Sequence, residues 1–304
     1  MTPKNIVASI QARLLQRSRE LKVDHQVTLF RFAGERFLYR LSVSKYTDRF
    51  ILKGAALMLF WLDEKIRPTK DIDLLGLGDT SSEELKRIFV AICEQRVPPD
   101  GVSFSSATIR VAPIREQQEY GGMRVTLTAM LGNITIPLQV DVGTGDAVVP
   151  AAEVLQYPGL LDLPSAKLRA YRPETSIAEK CEAMVRLAAA NSRMKDFFDV
   201  YALAAARSFD GETLRKAIAA TFARRHTQVV SQPLALTNEF ATDPQKRRQW
   251  EAFVRRNRLA DTVGDLELVI AKLVEFIGPV LDALARGHSW QRRWPANGPW
   301  KSVD

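Results

Sequence analysis

On either side of Gly132-Asn133 the chain alternates apolar with polar residues, a period of two that suits an extended strand with one buried face. Ile134, Ile136, Leu138, Val140 and Val142 form the apolar set of the second arm, while Thr135, Gln139 and Asp141 leave the opposite face. A two-residue Gly-Asn turn joins segments near 122–131 and 134–142 as a hairpin, and the segment near 103–112 reads as a further strand. A hairpin with one apolar face needs other elements packed on that face, so the chain has to build a layered α/β body. Ser81 with Glu84 reads as a capping box that opens a helix, and after the Pro-rich stretch from Pro150 to Pro173 the pattern is nearly all helical, ending in a long helix around Asp265 to Ala285.

A second short strand carries chemistry. In DIDLL, Asp71 and Asp73 are two residues apart, so on a strand both carboxylates leave one face about 7 Å apart while Ile72 and Leu74 point into a core. A surface turn is the plainer reading of Asp-x-Asp, because Asp is a common turn residue. Paired on one face, the two acids suit Mg²⁺, which is bound by one or two carboxylates together with substrate phosphates. Upstream, Gly54, Ala55 and Ala56 open an apolar helical stretch, Leu57 to Leu62, and small residues at a helix start let backbone N–H groups approach a phosphate. Arg67, Pro68, Thr69 and Lys70 link this stretch to the Asp pair.

The order of small-residue helix start, short linker and Asp-x-Asp strand resembles the polymerase-β-like nucleotidyltransferases. In the form LKGAAL followed by RPTKDIDLL it is similar to the AbiEii/AbiGii-type nucleotidyltransferase toxins of bacteria. Two further segments carry the likeness: ITIPLQVDVGTGD, with Asp141, and SIAEKCEAMVRLAAANSRMKDFFDVYAL, with Lys180 and Asp196. The resemblance implies a polymerase-β-like domain over residues 1–160 and a basic helical domain over 161–304, with the active site in the cleft they form. It also implies transfer of a nucleoside monophosphate from an NTP to the 3′ end of tRNA, Mg²⁺ held by Asp71, Asp73 and Asp141, and a cognate antitoxin. The family's small-residue motif usually reads Gly then Gly or Ser; here Ala55 follows Gly54, which keeps the backbone N–H but offers no hydroxyl.

Lys180 borders the helical stripe of Ile177, Cys181, Met184 and Ala188, where it can either snorkel over apolar surface or meet a triphosphate, as the resemblance implies. Asp196 and Asp199 sit three apart on the next helix. The spacing lets Asp196 face Lys180 or form an ordinary intrahelical ion pair, and leaves Asp199 to cap or pair at the surface; the resemblance implies that Asp196 either orients Lys180 or helps to deprotonate the acceptor hydroxyl. Thr69, two residues before Asp71, shares its face if the strand reaches that far. A phosphate on Thr69 would then repel a triphosphate, and the alternative is a threonine bonding its own turn.

The net charge of +8 is uneven: residues 224–258 hold eight Arg and Lys against three acids, and residues 286–303 hold four against none. Trp290, Trp294 and Trp300 interleave with Arg292, Arg293 and Lys301, a composition suited to RNA phosphates and base stacking, or to a solvated basic face over core tryptophans. Cys93 and Cys181 are isolated and His25, His226 and His288 scattered, which leaves no disulfide or zinc pattern. The longest apolar run is too short for a bilayer and the start lacks a signal-peptide pattern, so a cytoplasmic protein is expected. The alternatives to tRNA modification are nucleotidylation of a protein or small molecule, and a non-catalytic RNA-binding module.

Overall fold

The computed structural model describes residues 3–62, 69, 71–114 and 121–303; Arg67, Pro68 and Lys70 of the linker lie outside them. The chain falls into two compact units. The first comprises residues 1–60, 68–145 and 153–170, and the second 61–67, 146–152 and 171–304.

The first unit is built on a mixed seven-stranded sheet in the order β3-β4-β5-β2-β1-β7-β6. Its strands are β1 (Phe50–Lys53), β2 (Asp71–Gly76), β3 (Val102–Pro113), β4 (Gly122–Leu131), β5 (Ile134–Thr144), β6 (Glu153–Gln156) and β7 (Lys167–Ala170). The pairs β2/β5 and β1/β7 are parallel, and β1/β2, β3/β4, β4/β5 and β6/β7 are antiparallel. Gly132 turns the β4/β5 hairpin with φ of 64°, a left-handed value that glycine adopts without a Cβ penalty. The alternation then puts Val125, Leu127, Ala129, Leu131, Ile136, Leu138, Val140 and Val142 on one buried face. Burial of each such side chain contributes about 1.5–3 kcal/mol relative to exposure.

Helices α1 (Pro3–Glu20), α2 (His25–Ser42) and α4 (Ser82–Cys93) belong to this unit, and α2 and α4 pack against β5 and β3 respectively. Phe37 of α2 stacks on Phe89 of α4 at 5.4 Å between centroids, which joins both helices in one core. The Ser81 hydroxyl caps α4 by accepting from the Glu84 N–H, as the sequence suggests. The reciprocal half of a capping box is absent, because the Ser81 N–H donates to Asp79 and the Glu84 carboxylate holds Arg49 and Arg87. Two strands appear where the Pro-rich stretch hid them: β6 and β7 extend the sheet beyond β1.

The second unit is mostly helical: α5 (Pro173–Leu187), α6 (Met194–Ala206), α7 (Gly211–Arg224), α8 (Asn238–Thr242), α9 (Pro244–Asn257) and α10 (Leu266–Ala285). The long C-terminal helix starts where expected, with the Asp265 carboxylate accepting from the Leu268 N–H. A small sheet of β8 (Phe209–Asp210), β9 (Arg292–Trp294) and β10 (Lys301–Ser302) was not legible in the helical pattern. Its strands are two or three residues long, below the length at which alternation registers. No described helix is long and apolar enough to cross a membrane.

Candidate active site

Register places four charged residues of the first unit in one transverse row. Lys53 pairs with Asp73 across β1/β2, Asp73 with Asp141 across β2/β5, and Asp141 with Arg124 across β5/β4. Paired positions share a face, so Lys53, Asp73, Asp141 and Arg124 run across the polar side of the sheet on strands about 4.8 Å apart. The row reads cation, anion, anion, cation.

Asp71, exposed at the head of β2, is paired with Gln139 in the next row of the same face. Beside it opens a groove of about 340 Å³ lined by Thr108, Thr126, Thr128, Pro137 and Gln139, with Phe30 at its edge. The three expected metal ligands are therefore not equivalent. Asp73 and Asp141 are brought side by side, Asp71 stands one row away, and no group of three or more His, Cys, Asp or Glu side chains among the described residues is arranged to hold a metal ion. Both Asp141 oxygens accept from one guanidinium, Arg124 Nε to Oδ1 at 2.9 Å and Nη2 to Oδ2 at 2.8 Å.

Gly54 has a second reason to be glycine. Its φ is 74°, and a Cβ there would come within 2.6 Å of the Asp73 Cγ and closer still to Oδ2. The missing side chain is thus what lets the Asp73 carboxylate lie against the end of β1. The segment after Gly54 is shorter than the apolar run suggested: a 3₁₀ turn, Gly54–Leu57, passes into the single turn of α3 (Met58–Trp61). So few aligned peptides sum to a small macrodipole, and a phosphate at Gly54 and Ala55 would rely on their individual N–H groups.

Thr69 lies before β2, which begins at Asp71, so the strand does not carry its hydroxyl onto the face of the Asp pair. The hydroxyl sits 3.5 Å from the Asp71 carbonyl oxygen, the local turn bonding that was the alternative reading.

In the second unit, Lys180 on α5 is buried and its Nζ donates to Asp196 Oδ1 at 3.0 Å and Asp199 Oδ2 at 2.7 Å. Lys180 therefore does not snorkel, and Asp199 is no surface cap: its side chain is 1% exposed. The helical spacing was right about Asp196, but α6 buries both turns that face α5. Asp196 Oδ2 also accepts from Arg193 Nε at 2.6 Å. Burial alone would raise this carboxyl, but Lys180 and Arg193 outweigh it and hold the group at about 2. A carboxylate so acidic, with both oxygens engaged, is a weak base. Arg225, which caps the C-terminus of α7, gathers Asp146, Glu179 and Glu182 at 3.2, 3.4 and 2.8 Å, tying α5 to α7.

The tryptophans of the basic stretches differ in burial. Trp294 is fully buried with its indole N–H on the Ala204 carbonyl, Trp300 stacks on Phe276 at 5.8 Å, and Trp250 is buried with its N–H on the Gly264 carbonyl. Trp250 and Trp294 thus fill a core, while Trp290 and Trp300 stay half-buried. Arg292 and Arg293 are exposed on β9, Arg292 donating to the Ser302 hydroxyl at 2.7 Å.

Sequence reasoning passed over Lys53 and Arg124. The signal for Arg124 was present, since eight residues back from Gly132 on β4 and eight forward from Asn133 on β5 lead to Arg124 and Asp141.

The family model for the nucleotidyl transferase AbiEii toxin of type IV toxin–antitoxin systems matches residues 36–271. Among solved structures, the MenT4 nucleotidyltransferase toxin of Mycobacterium tuberculosis H37Rv superposes with a TM-score of 0.50 at 20% identity, over 93% of this chain and 99% of that one. A candidate nucleotidyltransferase of Helicobacter pylori gives 0.50 at 15% identity over 87% and 97% of the two chains. JHP933 of the same organism gives 0.48 at 16% over 87% and 94%. No curated protein matches. At such identities the structures speak for the fold alone, and it is the family match across most of the chain that makes this protein a member of the AbiEii nucleotidyltransferase toxin family.

Proposed function

We propose that the chain transfers a nucleoside monophosphate from an NTP to the 3′ end of tRNA in a Mg²⁺-dependent reaction, and so blocks translation until a cognate antitoxin neutralises it. The observation that carries this reading is the row Lys53, Asp73, Asp141, Arg124 on one sheet face, beside the groove at Asp71. Two adjacent carboxylates flanked by cations suit a site that takes both a divalent ion and a polyphosphate. Asp73 and Asp141 would hold the ion with Asp71 in support, and when bound it supplies charge neutralisation at the transferring phosphoryl group.

The chain's own groups do the positioning. The N–H groups at Gly54 and Ala55 meet phosphate oxygens, and the Asp71 groove receives the end of the acceptor. Lys180 takes its role at the triphosphate from the family likeness. Asp196, held at about 2 by two cations, reads as the group that orients Lys180 rather than as the base. The exposed basic surface favours RNA as the acceptor.

The deciding experiment incubates the protein with each labelled NTP, Mg²⁺ and either total tRNA or total cell protein. Label in the tRNA 3′ end is expected. Label in protein or in small molecules would move the acceptor class, and no transfer to any pool would favour a non-catalytic RNA-binding module.

Two variants probe the parts. Gly54→Ala is expected to cost about 1–3 kcal/mol through its left-handed backbone and also to displace Asp73. Transfer should therefore fall by more than the melting temperature explains, and a parallel assay and melt would show it; full activity in a folded Gly54→Ala protein contradicts the arrangement. Replacing Arg292 and Arg293 with Ala should lower the slope of log RNA affinity against log salt by about one unit per lost phosphate contact. An unaltered salt series assigns them to the fold.

A further inference from the structure

We propose that Arg124 is an internal counter-ion that closes Asp141 to a divalent cation until a triphosphate draws the guanidinium away, so that metal and nucleotide load together. The inference rests on the reading of Asp73 and Asp141 as the metal-binding pair.

Three observations carry it. The fork is complete, with Nε and Nη2 of Arg124 each donating to a separate Asp141 oxygen. A guanidinium in that position sets a positive charge where a cation would have to approach. The pair is also open: the Arg124 side chain is 39% exposed and that of Asp141 19%, so the arginine can leave by a rotamer change without disturbing the core face of β4. Finally, the register makes the arrangement specific to the site. Two carboxylates on neighbouring strands repel, and the cations at either end of the row offset that repulsion while no metal is bound.

A triphosphate changes the balance. It brings several anionic oxygens in the geometry that a planar guanidinium binds bidentately, and Arg124 is at the end of the same row. Once the guanidinium has moved to phosphate, both Asp141 oxygens face a cation. By linkage, a nucleotide that removes Arg124 from Asp141 raises metal affinity, and metal on Asp141 raises nucleotide affinity by the same factor.

The test is Mn²⁺ binding to the full chain without nucleotide, followed by electron paramagnetic resonance of the free ion, and needs no activity. Arg124→Gln should bind Mn²⁺ about fivefold more tightly than wild type, the upper end for one partly exposed charge pair. The gain should vanish in Arg124→Gln/Asp141→Asn. Arg124→Lys, which keeps the charge but cannot fork, should fall between the two and serves if the glutamine variant does not fold. In EDTA, Arg124→Gln should also lose affinity for inorganic tripolyphosphate. Mn²⁺ binding that Asp73→Asn abolishes but Arg124→Gln leaves unchanged or weakens would overturn the counter-ion role and keep the metal site. Tripolyphosphate binding that is absent or unchanged would overturn the exchange. Mn²⁺ binding independent of Asp73 in every variant would overturn the metal reading and this inference together.

Discussion

Asp73→Ala should lower nucleotidyl transfer on the order of 10³-fold or more, because loss of a metal ligand removes several kcal/mol of transition-state stabilisation and each 1.4 kcal/mol is a factor of ten. The fold should survive. Asp73 is half-buried on the polar side of the sheet, outside its apolar core. Single-turnover incorporation of labelled NTP beside a thermal melt separates the two effects. Asp71→Ala tests the less central position: near wild-type transfer there would leave Asp73 and Asp141 as the working pair, whereas near wild-type transfer in Asp73→Ala would remove the metal assignment altogether. In cells, wild type should arrest growth and Asp73→Ala should not.

Lys180→Met should destabilise the protein by about 3–5 kcal/mol, because it removes the ammonium from two buried carboxylates. In an ordinary domain of this size that is a fall of roughly 10 °C in melting temperature. Asp196 keeps Arg193, while Asp199 loses its ion pair with Lys180, so Asp199→Asn should recover part of the loss in the Lys180→Met background. A Lys180→Met protein as stable as wild type would show that the cluster contributes nothing to the fold.

The same cluster sets a pH dependence. The folded Asp196 carboxyl lies at about 2, below its ordinary 3.8, so its contribution is complete above about 4 and disappears as pH falls from about 4 through about 2. Denaturant titrations across that window should show wild-type stability declining with acid, and Asp196→Asn should lack that part of the decline.

The residue pattern by itself determined which segments are strands and which are helices over most of the chain. The hairpin across Gly132-Asn133, the strand at Asp71, the cap at Ser81 and the helix after Asp265 were all legible. Each depends on local periodicity or on a side chain bonding a backbone group within three residues, information that neighbouring positions carry. β6 and β7 were hidden because four-residue strands inside a Pro-rich stretch owe their existence to the open edge of β1, and an edge is a property of the sheet.

The site divides in the same way. Asp71, Asp73, Asp141, Lys180 and Asp196 were marked by residue type and spacing, but what each one touches was not. That Asp73 and Asp141 lie side by side is a consequence of parallel pairing between strands more than sixty residues apart. Asp199 looked like a surface residue because helical spacing tells which positions share a face and not what covers that face; α5 brings an ammonium to it, and the residue is buried. Trp294 read equally well as a platform or as core until α10 placed Phe276 against it. Composition and period are local quantities, whereas register, burial and charge pairing are relations between distant segments, so only the folded chain could decide them.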